Sequence, residues 1–328
     1  MKQARSTLMA IAPLVLLCVL LLPGLLGGCQ RYELAMTLDD QGGGERDITV
    51  AIDGRDVDLA NMAPEDVAPD KLSLDLARRL LGLTEARGWR ITGTDEQPGD
   101  DAEIHLARRS RVGAAADWSA HSDDLLIRVA PDSPIVMHNL VSVDIARDPE
   151  GHRLTYRETF YWQGLKAEII AFQARAYVAT VSGAFPGLTG EDRAEIRGLV
   201  SASLDLSWDR LLASDDTYLQ TVVIPALTEQ TAGVIRRRDA AADVADLATL
   251  VGEGMQEPDD MERYLQEDLP GLLLASRTSV KLSVTLPGPV TDANADEIQG
   301  NTATWDLDLG DTVARPLEVH ATTLLEDD

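Results

Sequence analysis

Apolar and polar positions alternate by twos toward both ends of the chain and follow helical spacing in the middle. Tyr32, Leu34, Met36 and Leu38 alternate with polar or small residues, and Ile48, Val50 and Ile52 do so again after Gly42-Gly43-Gly44. Two period-2 runs joined by a Gly-rich turn predict a β-hairpin. Residues 55–69 are polar, carry Pro64 and Pro69, and read as loop. Asp70 or Ser73 can cap a helix running to about Arg87, with Leu72, Leu76, Leu80 and Leu83 on one face and Gly88 as its stop. Strands are expected from Trp89–Thr92 and from Ala102, Ile104 and Leu106, on either side of a loop around Asp95–Asp101.

Alternation continues through Leu125, Ile127 and Val129, through Val141, Val143 and Ile145, and through Leu154, Tyr156, Glu158, Phe160 and Trp162. In that last run the opposite face is Arg153, Thr155, Arg157, Thr159 and Tyr161, so one side is read as wet. At Gly164 the period changes. Ala167, Ile170, Ala174, Tyr177 and Val181 follow helical spacing, as do Ile196, Leu199, Val200, Leu204 and Leu211 beyond a Pro186-Gly187 break. A third stretch, Leu219, Val222, Val223, Ala226 and Leu227, contains Pro225 as a kink or boundary. Further turns fall at Val244–Val251 and Met261–Leu269, and Pro270-Gly271 reads as the end of the helical block. Strand alternation returns with Val280, Leu282, Val284 and Leu286, then Trp305, Leu307 and Leu309, then Leu317, Val319 and Ala321.

These periods predict an α+β fold: a curved, mostly antiparallel sheet with one packed helix and a large helical insertion. The expected division is a leader over 1–28, a sheet domain over 29–164 plus 276–328, and the insertion over 165–275. Three separate domains are the other reading. The last strands are too few to stand alone, which favours the insertion.

The N-terminus differs in kind from the rest. Lys2 and Arg5 precede an apolar run over Leu8–Leu22, broken by Pro23-Gly24 and closed by Leu26-Gly27-Gly28-Cys29. This resembles a bacterial lipoprotein signal peptide with its lipobox. The resemblance implies cleavage between Gly28 and Cys29 and acylation of the Cys29 sulfur. Bacterial lipoproteins carry a diacylglycerol there, often with a further amide-linked chain such as palmitate. Two chains make a stable anchor where one binds only marginally. An uncleaved transmembrane helix is the competing reading, since about 20 apolar residues span a bilayer. Cys18 would leave with the leader, so no disulfide is expected in the mature chain.

Charge narrows the partners. The formal charge is −26, and loss of Lys2 and Arg5 makes it more negative still. Such a chain is not expected to bind nucleic acid or to dock electrostatically on anionic lipid, so the acyl chains must hold it at the membrane. Only Lys2, Lys71, Lys166 and Lys281 are lysines among 29 basic residues. An acidic, Lys-poor surface suits a high-salt habitat, where repulsion is screened. A genome rich in G and C gives the same bias.

The C-terminal block carries a second resemblance. Val280–Gly288, Asn301, Trp305-Asp306-Leu307-Asp308 with Gly310, and Leu317–Thr322 resemble the end of LppM-like lipoproteins, with their W-x-L-x-x-G strand. The start at Cys29-Gln30-Arg31-Tyr32, leading into a Gly-turned hairpin, is similar to the same family. The resemblance lies on 29–165 and 276–328. It implies an extracytoplasmic α/β envelope domain with an apolar cavity that takes lipid or another apolar ligand, and neither cofactor nor catalytic residue.

Candidate chemistry is thin. Asp306, Asp308 and Asp311 are spaced carboxylates that suit Ca²⁺, but Trp305, Leu307 and Leu309 alternate with them as on a strand with an acidic wet face, and the EF-hand glycine and glutamate are missing. The five histidines show no paired zinc spacing. G-x-S-x-G, P-loop and G-x-G-x-x-G motifs are absent. Arg236-Arg237-Arg238 reads as a charged helix end or as a docking island. Tyr156, Phe160, Trp162 and Trp305 are candidates for lining an apolar pocket, and equally for ordinary core. The expectation is a non-enzymatic envelope protein that binds lipid or an apolar ligand. The alternative is an assembly module that meets an envelope partner through its helical insertion.

Overall fold

The computed structural model describes residues 30–53, 78–96, 102–149, 151–213, 216–254, 264 and 268–326. The leader, Cys29 and residues 70–77 of the helix expected to about Arg87 lie outside these residues; residues 78–80 are helical, a turn with Gly82 at φ +62° ends them, and Glu85–Arg87 form a separate 3₁₀ turn instead of continuing the helix. The fold is α+β with a curled, mostly antiparallel sheet arrangement and several helices. Two compact units are present: one over Gly164–Glu267, the other over the described residues of 30–163 and 268–326.

The sheet unit holds β1 (Gln30–Leu38), β2 (Gly44–Asp53), β3 (Arg90–Glu96), β4 (Ala102–Val112), β5 (Ile127–Arg128), β6 (Val136–Asp148) and β7 (Gly151–Gln163). After the helical unit come β8 (Thr278–Thr285), β9 (Val290–Ala293), β10 (Glu297–Gln299), β11 (Thr302–Asp308) and β12 (Leu317–Leu325). One sheet has the order β10-β11-β8-β1-β2-β4-β3, the other β5-β6-β7-β12-β9. The β1–β2 hairpin is antiparallel, with Leu34 opposite Ile48. Among the described residues the exception to antiparallel pairing is β1 with β8, which run parallel. The inner faces of both sheets share one core, in which Tyr32, Leu34, Met36, Ile48 and Val50 meet Val141, Tyr156, Phe160 and Val319. Alternation sets the inner faces, since successive side chains on a strand point to opposite sides. β5 is shorter than the Leu125–Val129 alternation suggested, and Ile145 lies exposed beyond the buried part of β6.

The helical unit contains α1 (Leu165–Ala184), α2 (Gly190–Leu212), α3 (Ile224–Arg238) and α4 (Leu247–Gly254). Thr189 and Asp192 close a reciprocal capping box at the start of α2. Ile170, Ala174, Tyr177, Val200, Leu204, Leu227, Ile235 and Leu247 form its core. Ala167, read as part of the α1 face, is exposed. A π-helical turn, Leu219–Val223, runs directly into α3. Pro225 favours it: proline has no N–H for the carbonyl four residues back, and its ring crowds that carbonyl.

Pro270-Gly271 opens a helix where the sequence suggested a stop. Pro270 is the first residue of α5 (Pro270–Ala275), a position whose N–H has no helical partner in any case. Gly271 donates to Val129 O at 2.8 Å, and a Cβ there would sit 1.7 Å from Arg128 O. Only glycine lets α5 approach β5 that closely.

Candidate functional site

The strand periods that build the core also carry polar residues into it. Arg46 is in phase with Ile48, Val50 and Ile52 on β2, and Glu158 with Tyr156 and Phe160 on β7. Asn139 is in phase with Met137 and Val141 on β6, and Arg108 with Leu106 and Val112 on β4. The two sheets therefore meet across a polar cluster. Arg46, with 0% exposure, makes a bidentate pair with Glu158, Nη1 to Oε2 at 3.1 Å and Nη2 to Oε1 at 2.7 Å. Asn139 Nδ2 donates to Glu158 Oε1 at 2.6 Å, the Tyr156 hydroxyl donates to Oε2, and Leu125 N donates to Asn139 Oδ1 at 2.9 Å. Arg108 Nη2 pairs with Asp124 Oδ1 at 2.8 Å, and Arg46 Nε lies 3.6 Å from Asp124 Oδ2.

Two guanidinium groups thus face two carboxylates, which is the condition for holding ions in a low-dielectric interior. Burial alone would raise Glu158. The charge of Arg46 and the hydrogen bonds from Arg46, Tyr156 and Asn139 outweigh it and hold the carboxyl below its usual value. Asp124 goes the other way: burial raises it, and Arg46, Arg108 and His121 only partly offset this. Burial and then the neighbouring Glu158 charge push the Tyr156 phenol well up, so it stays a donor.

An open cleft of about 500 Å³ adjoins this cluster. Arg79, Gly82, Arg87, Asp123, Arg128 and Asp132 are among the residues lining it. Leu80, Leu81, Leu83 and Trp89 are buried and fix the backbone that carries Arg79 and Arg87. Gly82 has φ +62°, and a Cβ there would lie 2.2 Å from Arg87 Nη1, so its lack of a side chain makes room for that guanidinium. Arg87 donates to two backbone carbonyls, Gly82 O at 3.4 Å and Asp123 O. Burial, and then the positive charge of Arg108 and of Arg128, lower Arg87 from its usual value. Asp123 holds a left-handed φ of 76°. Its carboxylate meets His138 Nδ1 at 2.5 Å, and its N–H donates to Asn139 O at 2.9 Å.

The residues singled out from the sequence have other positions. Tyr156, Phe160 and Trp305 are buried in the shared core, with the Tyr156 and Trp305 rings 6.4 Å apart. Trp162 packs against that core and donates to Thr312 Oγ1 at 2.9 Å. Asp308 caps the turn that follows β11 by accepting from Gly310 N at 2.8 Å, and the Asp306 N–H donates to Asp296 Oδ2 at 2.8 Å. No group of three His, Cys, Asp or Glu placed to hold a metal ion occurs among the described residues. Arg236-Arg237-Arg238 form the last turn of α3, where positive charge complements the helix dipole, and Arg237 pairs with Glu195 at 2.6 Å. Cys29 and Gly28 lie outside the described residues. The cluster and the cleft escaped the sequence reading. The signal of the cluster was a charged or amide residue falling in phase with an apolar run, whereas the cleft had no such signal.

The LppM domain family model matches residues 214–322. Over that stretch, a third of its length, the chain is similar to the LppM domain. The match to the LppM model takes in most of the C-terminal block read as similar, ending at Thr322, and adds 214–275, which the sequence reading had left outside the resemblance; it does not include 29–165. Within the matched LppM stretch, Asn301 Nδ2 donates to Leu286 O at 2.9 Å and Trp305 Nε1 to Asn294 Oδ1 at 3.1 Å, so the shared motif closes loops. A solved NMR structure, the folded domain of Mycobacterium tuberculosis LppM, aligns over 93% of this chain and 95% of that one, at 10% identity and a TM-score of 0.30. That score gives the overlay no weight for the fold. No curated protein matches.

Proposed function

We propose that this LppM-like chain is an extracytoplasmic envelope lipoprotein, anchored by acylated Cys29, that works by binding rather than catalysis. The lipobox-like Leu26-Gly27-Gly28-Cys29 supports the anchoring, and the position of β1 supports a short tether. That strand begins at Gln30, next to Cys29, and is the fourth of seven strands in its sheet. Gln30 is buried and accepts from Thr278 Oγ1 at 3.2 Å. Acyl chains on Cys29 then hold the sheet by its central strand with no stalk between. Metabolic labelling with a fatty-acid analogue, followed by fractionation, tests this. The wild type is expected in membranes with label, and Cys29→Ala without label and released. An unlabelled wild type, or a variant that stays equally membrane-bound, overturns it.

For the ligand, Tyr156, Phe160 and Trp305 already fill the space between the sheets, and the Arg46–Glu158 pair ties the sheets together across it. An apolar ligand there would have to part them. Surface binding agrees better with this packing. A second reading, docking of an envelope partner on the helical unit, is favoured by Leu206, 86% exposed on α2. Leu206→Asp is expected to reduce recovery of crosslinked envelope partners, and unchanged crosslinking counts against it.

A further inference from the structure

We infer that the cleft lined by Arg79, Arg87 and Arg128 is a binding site for an oxyanion, a phosphoryl group held by guanidinium forks. In the adjoining cluster Arg46 and Arg108 already engage the two buried carboxylates, Glu158 and Asp124. Asp124, shared in this way, offsets the burial of Arg87 only in part. Arg87 points its donors at carbonyls, and the side chains of Arg79 and Arg128 make no hydrogen bond or ion pair among the described residues. Two carboxyl side chains line the cleft against the three arginines: Asp123, which meets His138, and Asp132, which is exposed. Arg79, Arg87 and Arg128 thus line one cleft, three arginines to two carboxyl residues, in a protein whose formal charge is −26. Arg108 and Arg128 both weigh on Arg87, and an anion in the cleft would offset that repulsion.

The supports of the site are built as well. Gly82 yields its Cβ volume to Arg87, and the carbonyl of left-handed Asp123 fixes the same guanidinium. Arg87 is held in place and Arg79 and Arg128 have free forks among the described residues, and a planar fork matches the paired oxygens of phosphate in charge-assisted bonds stronger than neutral ones. The volume, about 500 Å³, falls within the roughly 300–1,000 Å³ of small-molecule sites and exceeds the need of a bare phosphate. The chemistry leaves two sources open, free phosphate and the phosphomonoester head of a lipid. The overall negative field disfavours loose anion binding elsewhere, so saturable uptake is diagnostic.

Calorimetric titration of the full chain in non-ionic detergent tests the site, with inorganic phosphate in one arm and water-soluble dihexanoyl phosphatidic acid in the other. Dihexanoyl phosphatidylcholine serves as the control lipid. Saturable binding is expected in at least one arm and not to the control. Binding in both arms identifies the phosphoryl group itself as sufficient, and binding of the lipid alone identifies a headgroup. Arg79→Gln/Arg128→Gln is expected to weaken binding by about tenfold or more, from the loss of two charged donors. Arg109→Gln removes an exposed arginine that pairs with Asp47 outside the cleft, and is expected to bind as wild type. Thermal melting confirms that both variants fold. Should the double variant melt early, Arg128→Lys, which keeps the charge but loses the fork, is expected to weaken binding severalfold. Absence of saturable binding in both arms, equal affinity in the cleft variants, or an equal loss in Arg109→Gln overturns the assignment.

Discussion

Arg46 and Glu158 set the energetics of the inter-sheet cluster one residue at a time. Each is fully buried, and each is the other's main partner. Removing one leaves an uncompensated charge in the core, which costs about 3–5 kcal/mol, whereas removing both charges leaves none. Arg46→Met and Glu158→Gln are each expected to destabilise by about that amount, and the double variant by much less than the sum. The amide introduced by Glu158→Gln would keep an oxygen to accept from Tyr156 and Asn139. Urea unfolding of the four proteins measures the coupling, and strict additivity would refute it. The pH dependence follows from the direction of the Glu158 shift. Its folded-state value is depressed, so its stabilisation is full above the ordinary glutamate value of about 4.3 and is lost as pH falls through the folded value. Asp124 has the opposite sign: its value is raised, so ionising it on going up in pH costs stability. Between pH 7 and pH 3, the wild type is expected to lose more stability than Glu158→Gln. An equal or larger loss in the variant would show that the acid sensitivity lies elsewhere.

At the scale of elements, the wide turn before α3 shows how one residue sets the phase of a helix. Leu219, Val223, Leu227, Thr231 and Ile235 are all buried and recur in steps of four. Steps of four overshoot a 3.6-residue turn by about 40° each, so a strictly α-helical path would rotate the later residues off the core. A π turn absorbs part of that drift. The turn is therefore held by packing as well as by Pro225. Pro225→Ala is expected to change stability by less than about 1 kcal/mol, although proline in a regular helix interior costs about 3 kcal/mol relative to alanine. A gain near 3 kcal/mol in denaturant unfolding would mean that proline alone imposes the turn. The same periodicities explain what was legible in the sequence. Tyr32–Leu38, Ile48–Ile52 and Val280–Leu286 alternate without interruption, and the strands follow them. The cluster was not legible because partner choice is a matter of register and of sheet facing. Arg46 and Glu158 are 112 positions apart, and nothing local says that their strands face each other. Pro270-Gly271 misled for a related reason: the same pair can end a helix or open one, and the close approach of β5 decides it.

At the scale of the whole molecule, charge dominates. A formal charge of −26 means that folding compresses like charges, and this repulsion opposes the compact state. Ion pairs act in the other direction, but most on the surface are exposed, such as Arg109–Asp47, Arg111–Glu45 and Arg237–Glu195. Exposed pairs contribute roughly 0–1 kcal/mol each and are themselves screened by salt. The inter-sheet pairs are buried and respond little to it. Added salt therefore removes a large unfavourable sum of repulsions and only a small favourable sum of surface pairs. Raising sodium chloride from about 0.05 M to 1 M shortens the Debye length from roughly 14 Å to 3 Å. The melting temperature is expected to rise by several degrees, in line with about 2–4 °C per kcal/mol for a chain of this size class. Glu158→Gln should show the same salt increment as wild type, because the group it alters is out of reach of the ions. A melting temperature that falls with salt would instead assign the surface pairs the larger share. A salt increment that changes in Glu158→Gln would place solvent ions inside the cluster that joins the two sheets.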